Sequence, residues 1–190
     1  MSAAEGSDMR VLVVYASRYG STRGIAERIA ETLNQKGVEA SVQPVQHADN
    51  PRHYDAVVIG SAVYYAHWKK RALRFVQRNR EVLAGKPVWL FSSGPLGTKL
   101  TDAEGRDLSM VAEPKEINML RETIKPRDHR VFFGALIADQ LGLAHRLMLK
   151  LPVNQDNALF PLGDFRNWQE VDAWALSIVE SLRPNHNLRA

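Results

Sequence analysis

Residues 13–30 read VVYASRYGSTRGIAERIA. An apolar run stops at a loop of hydroxyls and one glycine, Ser17-Arg18-Tyr19-Gly20-Ser21-Thr22, and a helical pattern begins at once. The first amides of a helix lack intrahelical acceptors and carry partial positive charge. The loop is therefore either a cradle for an anion or a turn in which Ser21 or Thr22 caps the helix. Gly20 would let the chain turn without a side chain in the way. The hexapeptide alone reads as a cap, whereas its place after a first strand favours the cradle.

Outward from this stretch, strand-like and helix-like segments alternate. Residues 9–16, MRVLVVYA, form a continuous β-branched run too short for a helix. Ile25, Ile29 and Leu33 recur four apart, which predicts an amphipathic helix over 21–36 ending near Gly37. VEASVQPV (38–45) reads as a second strand, and Pro44 places it at an edge. YDAVVIGSAV (54–63) is a third strand, followed by a basic helix over 67–83. PVWLFSS (87–93) is a fourth strand, and a polar segment without clear period occupies 98–112. Pro114 opens a helix carrying Ile117, Leu120 and Ile124, RVFFGAL (130–136) is the fifth strand, and 167–182 is the closing helix. Such alternation implies an α/β fold with a parallel sheet covered on both faces. Ligands bind such sheets beyond the carboxyl ends of the strands, where the winding reverses.

Composition is that of one globular domain. The chain has 190 residues, 45% hydrophobic and 24% charged. Residues 1–8 and 184–190 read as tails around a domain at 9–183. No apolar run approaches the roughly 18 residues a membrane span needs. With no cysteines, thiolate nucleophiles and cysteine-ligated metals are excluded. Histidines 47, 53, 67, 129, 145 and 186 show no metal-ligand spacing, and no metal is expected. The net charge of +4 is local: residues 61–100 hold eight Lys or Arg against one Glu. Most of that excess lies in HWKKRALRFVQRNR (67–80), read either as a solvated helix face or as a surface for anions. No base-reading motif accompanies it, so nucleic acid is not an expected partner.

Rival phosphate loops fail. GxxxxGK[ST] and GxGxxG are both absent. The loop after the third strand, GSAVYYAHW (60–68), holds Tyr64, Tyr65 and Trp68, rings that suit a planar ligand by offset stacking, although Trp68 reads better as packing for the next helix. The loop after the fourth, SSGPLG (92–97), is a turn whose backbone could approach a flat ligand's edge. Together the three loops describe a site for a mononucleotide with a large aromatic base.

With SRYGST, VVIGSAVYYAHWKKRALRFV, FFGAL and NWQEVDAWA, the sequence resembles the flavodoxin-like FMN-binding superfamily over residues 9–183, and most of all its menaquinone-dependent protoporphyrinogen oxidase branch. The resemblance implies a doubly wound five-stranded parallel sheet in order 2-1-3-4-5, with an insert before the last helix. It implies non-covalent FMN, with Ser17, Arg18, Tyr19, Gly20, Ser21 and Thr22 at the phosphate. Ser61, Ala62, Val63, Tyr64, Tyr65 and Ala66, with Ser93, Gly94, Pro95, Leu96 and Gly97, would flank the ring system. Tyr19 stands where flavodoxins usually carry a hydroxyl residue, a difference the oxidase branch shares. VNQDNALFPLGDF (153–165) departs from that branch's glycine-rich stretch.

An oxidoreductase passing hydride from a porphyrinogen to flavin, and thence to a quinone, is the activity so implied. A flavodoxin-type carrier and an NAD(P)H:quinone reductase are the alternatives, and shuttle flavodoxins as a class are acidic where this chain is basic. Lys69, Lys70 and Arg71 could engage propionates. Arg146 and Lys150 lie within LGLAHRLMLKL (141–151), read either as a helix at a membrane surface or as one packed on the sheet. A cytoplasmic location, with contact at the inner face of the membrane and an oligomer open, completes the expectation. No side chain stands out as general acid or base, and His67 is the candidate that remains.

Overall fold

The computed structural model describes residues 9–94, 113–137 and 162–183. Pro95, Leu96, Gly97, Arg146, Lys150 and the 98–112 and 141–151 readings lie outside the described residues. The elements run β1 (Arg10–Ala16), α1 (Ser21–Gln35), β2 (Glu39–Pro44), a 3₁₀ turn (Pro51–His53), β3 (Ala56–Tyr64), β4 (His67–Trp68), α2 (Lys70–Arg78), α3 (Arg80–Ala84) and β5 (Val88–Ser93). They continue through α4 (Ile117–Ile124), β6 (Asp128–Phe132), β7 (Ala135–Leu136), β8 (Gly163–Asp164) and α5 (Trp168–Leu182).

The main sheet has the order β2-β1-β3-β5-β6, every neighbour pair parallel. Counting parallel strands alone, this is the expected 2-1-3-4-5. Alternation along each strand sends side chains to opposite faces. Val11, Val13, Ala56, Val58, Trp89 and Phe91 meet α1 and α5 through Ile25, Ile29, Leu33, Val171 and Ile178. Leu12, Val14, Val57, Ile59, Val88 and Leu90 meet α2, α3 and α4 through Phe75, Leu83, Ile117 and Leu120. Both faces are dry, which is why the strands read as unbroken apolar runs. Asp172 of α5 accepts from Arg28 Nε and Nη2 of α1, each at 2.7 Å, and from Thr32 Oγ1 at 3.0 Å.

Two elements differ from the sequence reading. The basic helix begins only at Lys70, because His67 and Trp68 pair antiparallel with β3. It then breaks at Asn79, whose side-chain Nδ2 donates to the Phe75 carbonyl at 2.9 Å and closes α2 before α3 starts. The expected strand at 130–136 divides into β6, in the main sheet, and β7, which pairs with β8 in a separate antiparallel ribbon.

Gly60 is the tightest point of the sheet. A Cβ there would lie 2.0 Å from the ring of Phe91, its register partner on β5. Phe91 in turn packs edge-on against Trp174, with centroids 6.2 Å apart. Gly60→Ala must displace a ring held by its own aromatic neighbour, and overpacking of this kind costs about 1–3 kcal/mol. Thermal denaturation should show a midpoint several degrees lower than that of the unsubstituted protein.

Candidate functional site

Three loops leave the carboxyl ends of β1, β3 and β5 at one level, because Ala16 lies beside Ser61 and Ala62 beside Ser93. In the first loop Gly20 takes φ 85°, a left-handed conformation at the N-cap of α1, and no side chain caps the helix. The capping reading therefore fails: neither Ser21 nor Thr22 closes the first turn. Ser17 Oγ instead accepts from the Gly20 amide at 3.1 Å, shaping the turn. Ser21 Oγ lies 3.2 Å from Ser93 Oγ and accepts from the Ala135 amide at 2.9 Å, tying the first loop to the third and to β7. Thr22 is 1% exposed, and among the described residues its Oγ1 has no hydrogen-bond partner. A buried hydroxyl left so costs free energy unless a ligand completes it. Uncapped amides beside an unpartnered hydroxyl are the donor set that a phosphate group requires, and FMN's phosphate fits it.

The second loop is a two-residue hairpin. Tyr65 and Ala66 have φ of 52° and 61°, joining β3 to β4 through the Tyr64–His67 pair. Such a turn ordinarily carries Asn-Gly, and each side-chain-bearing residue in this conformation costs about 1–2 kcal/mol. The hairpin is held from several sides. Ala66 O accepts from the Lys115 amide at 3.0 Å. Glu116 accepts from the Trp68 amide at 3.1 Å through Oε2, and its Oε1 meets His67 Nδ1 at 2.6 Å. Tyr65, 93% exposed, projects from the tip.

Beneath the hairpin runs a chain of polar contacts. Trp68 Nε1 donates to Ser92 Oγ at 2.8 Å, and that hydroxyl lies 2.8 Å from His129 Nε2. The ionised Glu113 only accepts, so His129 donates from Nδ1 to its Oε1 at 3.1 Å, and the neutral imidazole takes the Ser92 proton at Nε2. Glu113 is gripped by both Arg121 nitrogens, Nη1 and Nη2. Burial pushes the His129 imidazole below its ordinary value, against the upward pull of Glu113. Burial alone would raise Glu113 and Glu116, but hydrogen bonds from Arg121 and His129 to the first, and from His67 and Trp68 to the second, hold both below theirs.

The charges expected to meet an anion gather here too. Arg18 lies over the Tyr19 ring and Lys69 over Tyr64, each 5.2 Å from the centroid. Burial, with the positive charges of Arg18 and Arg71, lowers the Lys69 ammonium. Burial chiefly, together with Tyr19, pushes the Tyr64 phenol up to about 12. Lys70 and Arg71 are exposed on the first turn of α2.

The structure thus brings together residues 17–22, 61–66 and 93–94 at one sheet edge. The Ser61 hydroxyl is committed internally, donating to Ala62 O and accepting from the Lys69 amide, each at 3.0 Å. Gly94 is close-packed: a Cβ there would lie 2.8 Å from that of Val63. Trp68 is buried against α2, as the packing reading held. Sequence reasoning missed Glu113, Glu116, Ser92 and His129. Two acids flanking a proline at a helix start carry no mark of a contact made nearly fifty residues away.

The sequence matches the flavodoxin domain family over residues 12–158, and the chain belongs to that family. It is an FMN-dependent oxidoreductase. It is 33% identical over 176 residues to "Protoporphyrinogen IX dehydrogenase (quinone)" of Escherichia coli strain K12, a match spanning 90% of this chain and 95% of that one. Among solved structures, a flavodoxin from the domain Archaea superposes with a TM-score of 0.56 at 17% identity, over 91% of this chain and 98% of that one. Oxidised flavodoxin 1 from Bacillus cereus gives 0.56 at 13% identity, over 92% and 99%. These likenesses show the fold.

The His129 shift has a sign that can be measured. The unfolded imidazole takes up a proton near pH 6.5 while the folded one resists it, so stability present above 6.5 is lost as pH falls towards the depressed native value. The thermal midpoint should drop between pH 7 and pH 5. His129→Gln should lower the midpoint at pH 7 and flatten the slope across that interval, as read by circular dichroism.

Proposed function

We propose that this chain oxidises a porphyrinogen-type donor bearing carboxylates and delivers the electrons to a quinone. The observation that carries the reading is the cluster of Arg18, Lys69 and Arg71 around the exposed Tyr64-Tyr65 hairpin, charges that disfavour one another until an anion arrives. The Escherichia coli relative is named for that reaction. FMN, when bound, supplies reversible two-electron hydride chemistry. The protein's own residues position and exclude. The α1 amides and Thr22 would hold the phosphate, in a loop that Ser17 and Ser21 shape and anchor. Arg18 and Tyr19 would flank it, and Val63–Ala66 with Ser93–Gly94 would border the flat ring. Each two-electron step removes a hydride and a proton from the donor, and the quinone takes up both equivalents to become the quinol.

The acceptor is lipid-borne, so the basic face is also proposed to meet the membrane surface peripherally. Among the described residues, no helix is long and apolar enough to cross a bilayer. Sedimentation with anionic vesicles tests that contact: pelleting that survives charge reversal at Lys70 and Arg71 would place it elsewhere.

Two substitutions test the site. Thr22→Val keeps the shape of the side chain and removes an unpartnered hydroxyl. The apoprotein should be as stable as before or slightly more so, while FMN binds about tenfold more weakly in a fluorescence titration. An unchanged Kd would remove Thr22 from the cradle. Lys69→Glu with Arg71→Glu should raise KM for the carboxylate-bearing donor by roughly tenfold with kcat nearly unchanged. If KM does not move, the anion binds elsewhere.

A further inference from the structure

The hairpin at 64–68 adopts a turn that its own sequence disfavours, and the contacts holding it come from one short segment far along the chain. We infer that Glu113–Glu116 is a latch that positions the flavin-side hairpin, with Glu116 as its principal positioning residue. The inference rests on the proposed placement of that hairpin beside FMN.

Three features separate this arrangement from ordinary packing. First, one carboxylate engages two consecutive residues of the return strand: Glu116 Oε2 takes the Trp68 amide at 3.1 Å and Oε1 meets His67 Nδ1 at 2.6 Å. Secondly, the turn's last left-handed residue, Ala66, is fixed through its carbonyl by the Lys115 amide at 3.0 Å. Thirdly, Glu113 reaches the same hairpin from below, through His129 and Ser92 to the Trp68 indole. The segment therefore grips the hairpin at its tip, its return strand and its buried ring. A Tyr-Ala turn without such support would relax toward a wider loop, because neither residue gains from a positive φ. The ring-bordering backbone of Tyr64–Ala66 would then lose its fixed position.

The polarity of the buried branch follows from the acceptor-only carboxylate of Glu113. While His129 is neutral, each proton in the sequence Trp68 to Ser92 to His129 to Glu113 has one acceptor. A protonated imidazole would turn Nε2 into a donor, so that Ser92 accepts twice and its own proton loses its acceptor. The charged groups around the two histidines are Glu116 at His67, and Glu113, Arg121 and Asp128 at His129. The buried branch of the latch is accordingly set at neutral pH and is disturbed at the Ser92–His129 link on acidification.

The test compares Glu116→Ala, Glu116→Gln and Tyr65→Ala in the full chain, reading FMN Kd by fluorescence titration and the reduction potential of the bound flavin. Glu116→Ala should weaken FMN at least tenfold and shift the potential, while Glu116→Gln, which keeps an acceptor for the Trp68 amide, should recover most of both. A role confined to general stability would lower the thermal midpoint and leave the potential of the bound flavin unmoved. If Glu116→Ala does not fold, Glu116→Met takes its place, filling a similar length while offering no acceptor to the Trp68 amide or to His67: a potential and Kd equal to those of the unsubstituted protein overturn the latch. Tyr65→Ala separates the two layers of the argument. If it leaves Kd and potential untouched, the hairpin does not border the flavin and the placement fails. If it shifts them while both Glu116 variants do not, the placement stands and the latch fails.

Discussion

Everything at the site depends on the level at which three parallel strands stop. Ala16, Ser61 and Ser92–Ser93 lie side by side in the ladder, so the loops after β1, β3 and β5 emerge together. That register is fixed by burial on both faces, since a one-residue slip would exchange the set packed on α1 and α5 for the set packed on α2 to α4. The close fit of Phe91 over Gly60 pins it further, because only one residue of β3 leaves room for that ring. The cradle, the hairpin and the Ser93–Gly94 turn need no contacts of their own to find one another.

Polar atoms at this edge then divide into those spent on holding the loops and those left over. Ser61 ties β3 to the start of α2, Ser92 ties β5 to β4, and Ser21 ties α1 to β7 and β5. Each is a short hydroxyl at the end of a buried strand or the start of a helix, able to bridge backbone segments that no secondary structure joins. Thr22 is the exception, buried on the same helix turn as Ser21 and without a partner among the described residues. A stranded hydroxyl beside uncapped helix amides is the feature on which the proposed phosphate site rests.

The legible part of the sequence was the part governed by local pattern. Short apolar runs gave β1, β3 and β5, the spacing of Ile25, Ile29 and Leu33 gave α1, and Gly20 gave the turn between β1 and α1. What escaped was set by partners distant in sequence. Nothing in YYAH announces a hairpin, because tight turns are normally signalled by Asn-Gly, and here the missing preference is replaced by contacts from residues 115 and 116. The break of the basic helix at Asn79 has a local cause, but one visible only once its side chain is seen to close α2. The division of 130–136 depends on β8, some thirty residues away.

Two of these misses share a direction. The hairpin and the divided strand lie beside the proposed ligand site, and each departs from its own local preference under constraint from elsewhere. The hairpin could have been built more cheaply with glycine at its tip. Glycine would have supplied the turn but no ring, and a freer loop would lose more conformational entropy on meeting a flat ligand. Keeping Tyr65 exposed on a turn that Glu116 and Lys115 hold moves that cost into the folding of the chain. The neighbouring cations extend the same logic: the fold assembles Arg18, Lys69 and Arg71 despite their repulsion, so that the anion binding proposed there would relieve repulsion instead of adding order.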